Sequence, residues 1–522
     1  MTFLRSCLVA LCLLLAVSPA QAAAIDKDGA AKLKVVVTNF LKEQKKLAKI
    51  DGLTKVEYQG ETMVEEAGDY YAVTMPYTKI IQPDGNQVDV GMISVNASPG
   101  DAPGQWKMRV AIPTPIVVTN KAGVEIVRMT LGGQRAAGIW DESMQSFVKL
   151  DALYKDIAFT GPGATIKIPE TRIIYDFAVD TARKWSGPGS ITFKNLAADI
   201  PKTNSQFGAS EIKVSFAIDQ YSAAALSEYR GKLAALSETM NKDAAAKAAQ
   251  PSQDHTAAIA NMMMDFFTRA GNGMKVRYDA TNVYFNGPSG QAGAVRKIEM
   301  PKAFFGIDLS GFTTGKLRFA LQSGYEGLKI TPPENDGKLT PSTANFDVAI
   351  ENIPIREIFE LGKNTMDSIA RSPETKQLAG MSFLIKLQAL LSQSGAFLNV
   401  TDTHFGNKDI DVKLEGRARA DMSAVMSGTA EAKATIRNLD TLLAGLKEKE
   451  KTMQGKDLEK MQQTIAQLQN FKQNAKEEKT ADGQAVHVLE FAVTPQGQVL
   501  LNGEDMMKPK AGVQKPAPIP AP

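Results

Sequence analysis

The sequence predicts an α+β protein: large, curved antiparallel β-sheets with amphipathic helices packed on one side, in a chain that reads as two similar halves. Three observations predict it. Turn clusters recur between alternating apolar and polar segments over most of the chain, apolar stripes at helical spacing interrupt them, and one strand-to-helix junction occurs three times.

The order of elements begins with a leader. Arg5 is followed by an apolar run from Cys7 to Val17, then Ser18-Pro19 and the small-residue site Ala20-Gln21-Ala22. This is the order of a cleavable secretory signal over residues 1–22, and it implies a periplasmic location. The run falls short of the roughly 18 to 20 residues that span a bilayer as a helix. Cys7 and Cys12 are the two cysteines of the chain. The mature protein is therefore expected to lack disulfides, thiol chemistry and Cys-ligated metals. Leu11 stands before Cys12 where lipid attachment wants a small residue, so no lipid anchor is expected, and no later stretch has the length and apolarity of a transmembrane helix.

Leu33, Val36, Val37, Phe40 and Leu41 then recur at helical spacing among lysines and predict an amphipathic helix. From Val56 to about Ile218 the chain reads as a meander of strands, punctuated by Pro83-Asp84-Gly85-Asn86, Ser98-Pro99-Gly100-Asp101 and Gly187-Pro188-Gly189. Ile212, Val214, Phe216 and Ile218 alternate with Glu211, Lys213, Ser215 and Asp219, which gives that strand one apolar and one wet face. The same alternation runs from Asp409 to Asp421. Helical stripes follow at Leu226, Tyr229, Leu233, Leu236 and Met240, at Ile259, Met262, Met263, Phe266 and Phe267, and at Phe383, Leu384, Leu387, Leu390 and Leu391. Further strands are expected at Met274–Phe285, Lys316–Gln322, Val486–Thr494 and Gln498–Leu501. Leu439 to Phe471 predicts a helical hairpin or one bent helix, weakened at Gly455.

These elements group into an N-terminal helix plus β-meander domain over 23–242, an Ala- and Lys-rich linker over 243–253, and a second α+β domain over 254–507. The second domain carries a helical insertion at 439–477, and a Lys- and Pro-rich tail over 508–522 is expected to be disordered. The threefold junction is Val214 to Asp219 before Leu226, Phe346 to Ile353 before Ile358, and Ala432 to Leu439 before Leu442. Its Asp or Asn (Asp219, Asn352, Asn438) reads as a helix cap.

Sixty Lys and Arg against 57 Asp and Glu leave a formal charge of +3, which offers no electrostatic reason to expect nucleic acid. Candidate chemistry is sparse. His255, His404 and His487 are far apart and form no zinc spacing. Ser146-Phe-Val-Lys149 matches the S-x-x-K nucleophile motif of penicillin-recognising enzymes, but its companion motifs have no counterpart, and it reads as a surface helix turn. Asn407, Asp409 and Asp411 resemble the start of a calcium loop, yet Val412 occupies the position that needs glycine, so a strand is expected there. No metal and no cofactor are called for. Met262, Met263, Met264, Phe266 and Phe267 form the densest apolar cluster of the mature chain. Core packing explains such a cluster, and the alternative is the wall of a greasy ligand groove.

Two segments carry a family likeness: the junction Ile350-Glu-Asn352-Ile353-Pro354 and the run Phe491-Ala-Val-Thr-Pro-Gln-Gly-Gln-Val-Leu-Leu501-Asn-Gly. With the leader and the meander, they make the chain similar to YdgA-like envelope proteins and, more distantly, to AsmA-like proteins. The resemblance is diffuse and strongest after about Gly287. It implies β-grooves serving lipid traffic or envelope maintenance, and supplies no catalytic residue. A leader that is cleaved departs from the uncleaved anchor that many such proteins keep. The functional expectation is a non-enzymatic periplasmic protein that binds lipid or another elongated apolar ligand, or supports envelope assembly beside envelope proteins. A protein-interaction scaffold and a periplasmic hydrolase using dispersed acids are the alternatives.

Overall fold

A computed structural model describes residues 25–48, 55–245, 262, 265, 269–288, 295–332, 340–480 and 483–507. The leader, His255, most of the 243–253 linker, Met263, Met264, Phe266, Phe267 and the 508–522 tail lie outside these residues. Among them the chain is β-rich, every registered strand pair is antiparallel, and six α-helices interrupt the strands. No described helix is long and apolar enough to cross a membrane. The chain divides into two compact units, Met1–Ala178 with Leu226–Pro251, and Val179–Ala225 with Ser252–Pro522.

In the first unit, helix α1 (Lys27–Ala48) covers a sheet. Asp26 caps it: the Asp26 carboxylate accepts from Gly29 N–H at 2.7 Å, and the Asp26 carbonyl accepts from Ala30 N–H at 3.0 Å. The stripe read from sequence is the packed face, since Leu33, Val37 and Leu41 are buried against Tyr71, Val73, Val95, Ala97, Trp106 and Met108. Each such side chain contributes about 1.5–3 kcal/mol by leaving water. The strands beneath are Met63–Ala67, Tyr70–Thr74, Ser94–Pro99, Gln105–Ala111, Gly133–Asp141, Ser146–Thr160 and Thr165–Asp176, hydrogen-bonded in that order. Edge-to-face rings link helix to sheet, Phe40 to Trp140 at 4.9 Å and Trp140 to Phe147 at 5.3 Å.

Ser146 and Lys149 sit in one of these strands, not on a helix turn. The register steps between Phe147 and Lys149, so alternation does not separate the two, and Lys149 lies 3.5 Å from Asp176.

Helix α2 (Ala223–Ala245) realises the Leu226 stripe. In the second unit the strands Trp185–Ile200, Ser205–Tyr221, Gly273–Pro288, Val295–Ser310, Lys316–Glu326, Thr343–Pro354, Phe397–Gly406, Asp411–Ala420, Gly428–Arg437, Ala485–Val493 and Val499–Leu501 pair each with the next. Ser205–Tyr221 thus joins Gly273–Pro288 directly, across the 243–253 segment. Several strands carry a residue in the left-handed region at mid-length, Asn195, Asn282 and Asp402 among them. Asn and Asp tolerate this conformation better than other side chains. The register steps at Asp402, whereas at Asn195 and Asn282 the pairing skips one residue on each strand and resumes in the same register, so the ladder is locally broken at all three points. The strand expected from Asp409 to Asp421 runs from Asp411 to Ala420, and it starts late because the Asn407 side chain takes up the Asp409 and Ile410 N–H groups in a turn.

Two helical excursions leave this sheet after Pro354 and after Arg437. The first is α3 (Ile355–Arg371) and α4 (Lys376–Ser394), joined by a short turn. The second is α5 (Leu439–Glu450) and α6 (Gly455–Asn474), so the stretch weakened at Gly455 is a hairpin. The junction side chains do not cap helices, even at Asn438, which stands at the N-cap position of α5. Asn352 and Asn438 adopt positive φ, and their side-chain amides donate to the carbonyls of Gly395 (3.3 Å) and Asp409 (2.6 Å), which lie just before neighbouring strands. At the third junction Asp219 accepts from Asn272 at 2.6 Å, again just before the neighbouring strand. The cap reading fails because a residue that must turn the chain out of a strand has its side chain pointed back at the sheet.

Candidate ligand-binding face

The period of two places every second residue of these strands on one face, and register then lines those residues up across the sheet. Ile218, Met274, Leu309, Phe319, Ile350 and Leu398 stand opposite one another on six successive strands, and the row continues through Ala418, Ala430, Val493 and Val499. The next row on the same face reads Phe216, Val276, Ile307, Leu321, Val348, Val400, Gly416, Ala432, Phe491 and Leu501. A third holds Val214, Tyr278, Phe305, Ser323 and Phe346. At about 4.8 Å between strands, a ten-strand row measures ~43 Å.

The opposite face is ionic. Asp308 lies 3.2 Å from Lys275 and pairs with Arg318, which also reaches Glu351 at 3.4 Å, Gln322 donates to Asp347 at 3.1 Å, and Lys433 lies 3.4 Å from Glu490. These pairs hold the strands in register where water can reach them, and exposed pairs of this kind are individually weak.

Among the described residues, the apolar face is covered by elements with a buried core at one end only. There the hairpin α5–α6 brings Leu439, Leu443 and Ile465 onto Ile436 and Val412, and His487 beside Ile436 is buried. Elsewhere nine large apolar residues of this face, among them Met274, Tyr278, Phe305, Ile350, Leu398 and Phe405, are between 37% and 50% exposed. Tyr278 and Phe305 lie 6.3 Å apart, ring to ring. Monomeric proteins rarely leave a contiguous apolar patch of this extent open without using it. A cavity of about 850 Å³ opens where the row residues shrink to Gly416 and Ala432. Its walls mix Val400 and Phe491 with Asn399, Arg417, Glu431 and Lys433.

The other candidates do not assemble. Met262 is buried, and its four companions in the Met and Phe cluster lie outside the described residues. His404 and His487 are on opposite faces of the sheet, His404 opposite Lys413 and His487 opposite Ile436, so they cannot share a metal. Among the described residues no three His, Asp or Glu side chains are grouped to hold a metal ion. Sequence reasoning saw the alternation in Ile212 to Ile218 and in Leu317, Phe319 and Leu321 but missed the face they build. The signal was available in the even-numbered positions from Met274 to Tyr278 and from Phe346 to Ile350, spread thinly along many strands instead of clustered in one.

Fold and face together define an α+β protein with an open apolar sheet surface in its second unit. Compared with known proteins, the chain matches no family model, no curated protein and no solved structure.

Proposed function

We propose that this chain is a non-enzymatic periplasmic protein that carries lipid or another elongated apolar ligand on the open face of its second unit. One observation carries the reading: rows of apolar side chains run in register across ten strands and remain partly exposed. An acyl chain laid along a row would gain about 0.8 kcal/mol for each methylene removed from water, before the entropy of binding is subtracted. The ionic face behind would stay in water. The likeness of the 350–354 junction and the 491–503 run to YdgA-like envelope proteins supports the same reading, as does the leader.

The test is to purify the protein from the periplasm without detergent, then record its native mass and extract it for lipid. Stoichiometric phospholipid is expected on the wild type and its loss on Phe305→Asp/Leu398→Asp. A wild type with a clean apo mass, and no uptake of fluorescent fatty acid, would end the proposal.

A further inference from the structure

The hairpin α3–α4 carries apolar surface that the sheet face does not account for. α3 is strongly amphipathic, with Ile358, Phe359, Leu361 and Ile369 half-buried on one side and Glu357, Glu360 and Lys363 exposed on the other. α4 is apolar around most of its circumference. Phe383, Leu387, Leu390 and Leu391 form its half-buried side. Leu378, Met381, Leu384 and Ile385 are 70%, 57%, 63% and 61% exposed. At 3.6 residues per turn these four fall within an arc of about 120°. A helix packed on one side ordinarily turns polar residues outward, and α4 does the reverse.

A second element extends the same patch. The turn that follows the strand Asp411–Ala420 is tied to α4, with Met422 N–H donating to Ser392 Oγ at 2.9 Å and the Gln388 amide donating to the Ser427 carbonyl at 3.2 Å. It presents Val425 and Met426, 75% and 53% exposed.

Charge decides between occupants. The 19 residues of α4 include Lys376 and Lys386 and no acid, and Arg419 is exposed at the strand end that feeds the turn. Against these three cations stand two acids, Glu374 just before the helix and Asp421 in the turn, the latter held by the backbone N–H and hydroxyl of Ser423. An outward apolar arc flanked by cations is the arrangement of a helix lying in the interface of an anionic membrane.

We propose that this side of α4, with the 421–427 turn, docks the protein on an anionic lipid surface. The arc enters the acyl boundary while Lys376, Lys386 and Arg419 meet headgroup phosphates. The proposal stands without the ligand-carrier reading, because it uses neither the sheet face nor any bound ligand.

Flotation of the full chain with vesicles tests it, using three parts phosphatidylethanolamine to one part phosphatidylglycerol against pure phosphatidylcholine. The wild type is expected to float with the anionic vesicles and to be released by salt. Leu384→Asp/Ile385→Asp should reduce flotation by roughly tenfold or more, and Lys376→Glu/Lys386→Glu should abolish the preference for anionic lipid. Both pairs are exposed, and an unchanged far-UV circular dichroism spectrum checks that each variant folds. Phe305→Asp, on the sheet face, should float like the wild type even where it loses extracted lipid, which separates this proposal from the carrier reading. The proposal is overturned if the wild type ignores anionic vesicles, or if the double Asp variant floats equally well. It is also overturned if sedimentation shows a dimer that the double Asp variant dissociates, since the arc would then be a contact between copies.

Discussion

In the first unit α1 lays Leu33, Val37 and Leu41 on the apolar side of a sheet and seals it, with Tyr71 and Trp106 buried beneath. In the second unit the apolar rows through Met274, Leu398 and Val400 meet a covering core, among the described residues, only at the α5–α6 end. Both sheets are antiparallel and both alternate in the same way, so the alternation itself does not determine whether a face is closed. The difference lies in where helices are inserted: α1 precedes its sheet and runs along it, whereas the excursions of the second unit leave from strand ends.

The largest expected effect separates these two states directly. Leu33→Ala should destabilise the first unit by about 2–5 kcal/mol in a denaturant titration, because the cavity it leaves is walled by a closed core. Gly29 probes the same seal from the helix side. A Cβ there would stand 2.0 Å from the hydroxyl and 2.9 Å from the ring carbon of the fully buried Tyr71, which also accepts from Asp26 N–H at 3.1 Å. Gly29→Ala should therefore cost about 1–3 kcal/mol, read by the same titration. On the open face Met274→Ser should change stability by no more than about 0.5 kcal/mol. If its cost instead matches that of Leu33→Ala, something covers the face in solution and the comparison breaks.

The smallest effect concerns alkaline pH. Burial raises the tyrosine pKa of Tyr58, Tyr154 and Tyr175 in the first unit, and of Tyr325 in the second, above the ordinary 10.0. The folded state then holds these protons after the unfolded chain has released them. Their stabilisation is complete below about pH 10 and is lost as pH rises beyond it. Tyr154→Phe should flatten the alkaline limb of the first unit's stability curve, measured as the unfolding midpoint against pH.

Much of this fold was legible because one period repeats locally. The stripe from Leu33 to Leu41 identified both helix α1 and its packed side, and Gly455 marked the break between α5 and α6. What local pattern cannot express is registration between distant strands. Nothing near Met274 says that it will face Leu309, or that Leu398 will continue the row through Ile350. Density misled for the same reason: the Met262 to Phe267 cluster drew the eye, while the open face is assembled from single residues two apart. The caps failed at a finer scale, since Asn352 and Asn438 have the composition of a cap and the φ of a corner.

Those corners give the second sheet the character of a chassis with sockets. Arg437 pairs with Val486 and Glu351 with Phe397, so the ladders close at the root of each excursion as if a tight hairpin stood there. Helical cassettes of different length or chemistry could be exchanged at these roots without moving a strand, letting one scaffold acquire new helical covers while its apolar sheet surface stays the same.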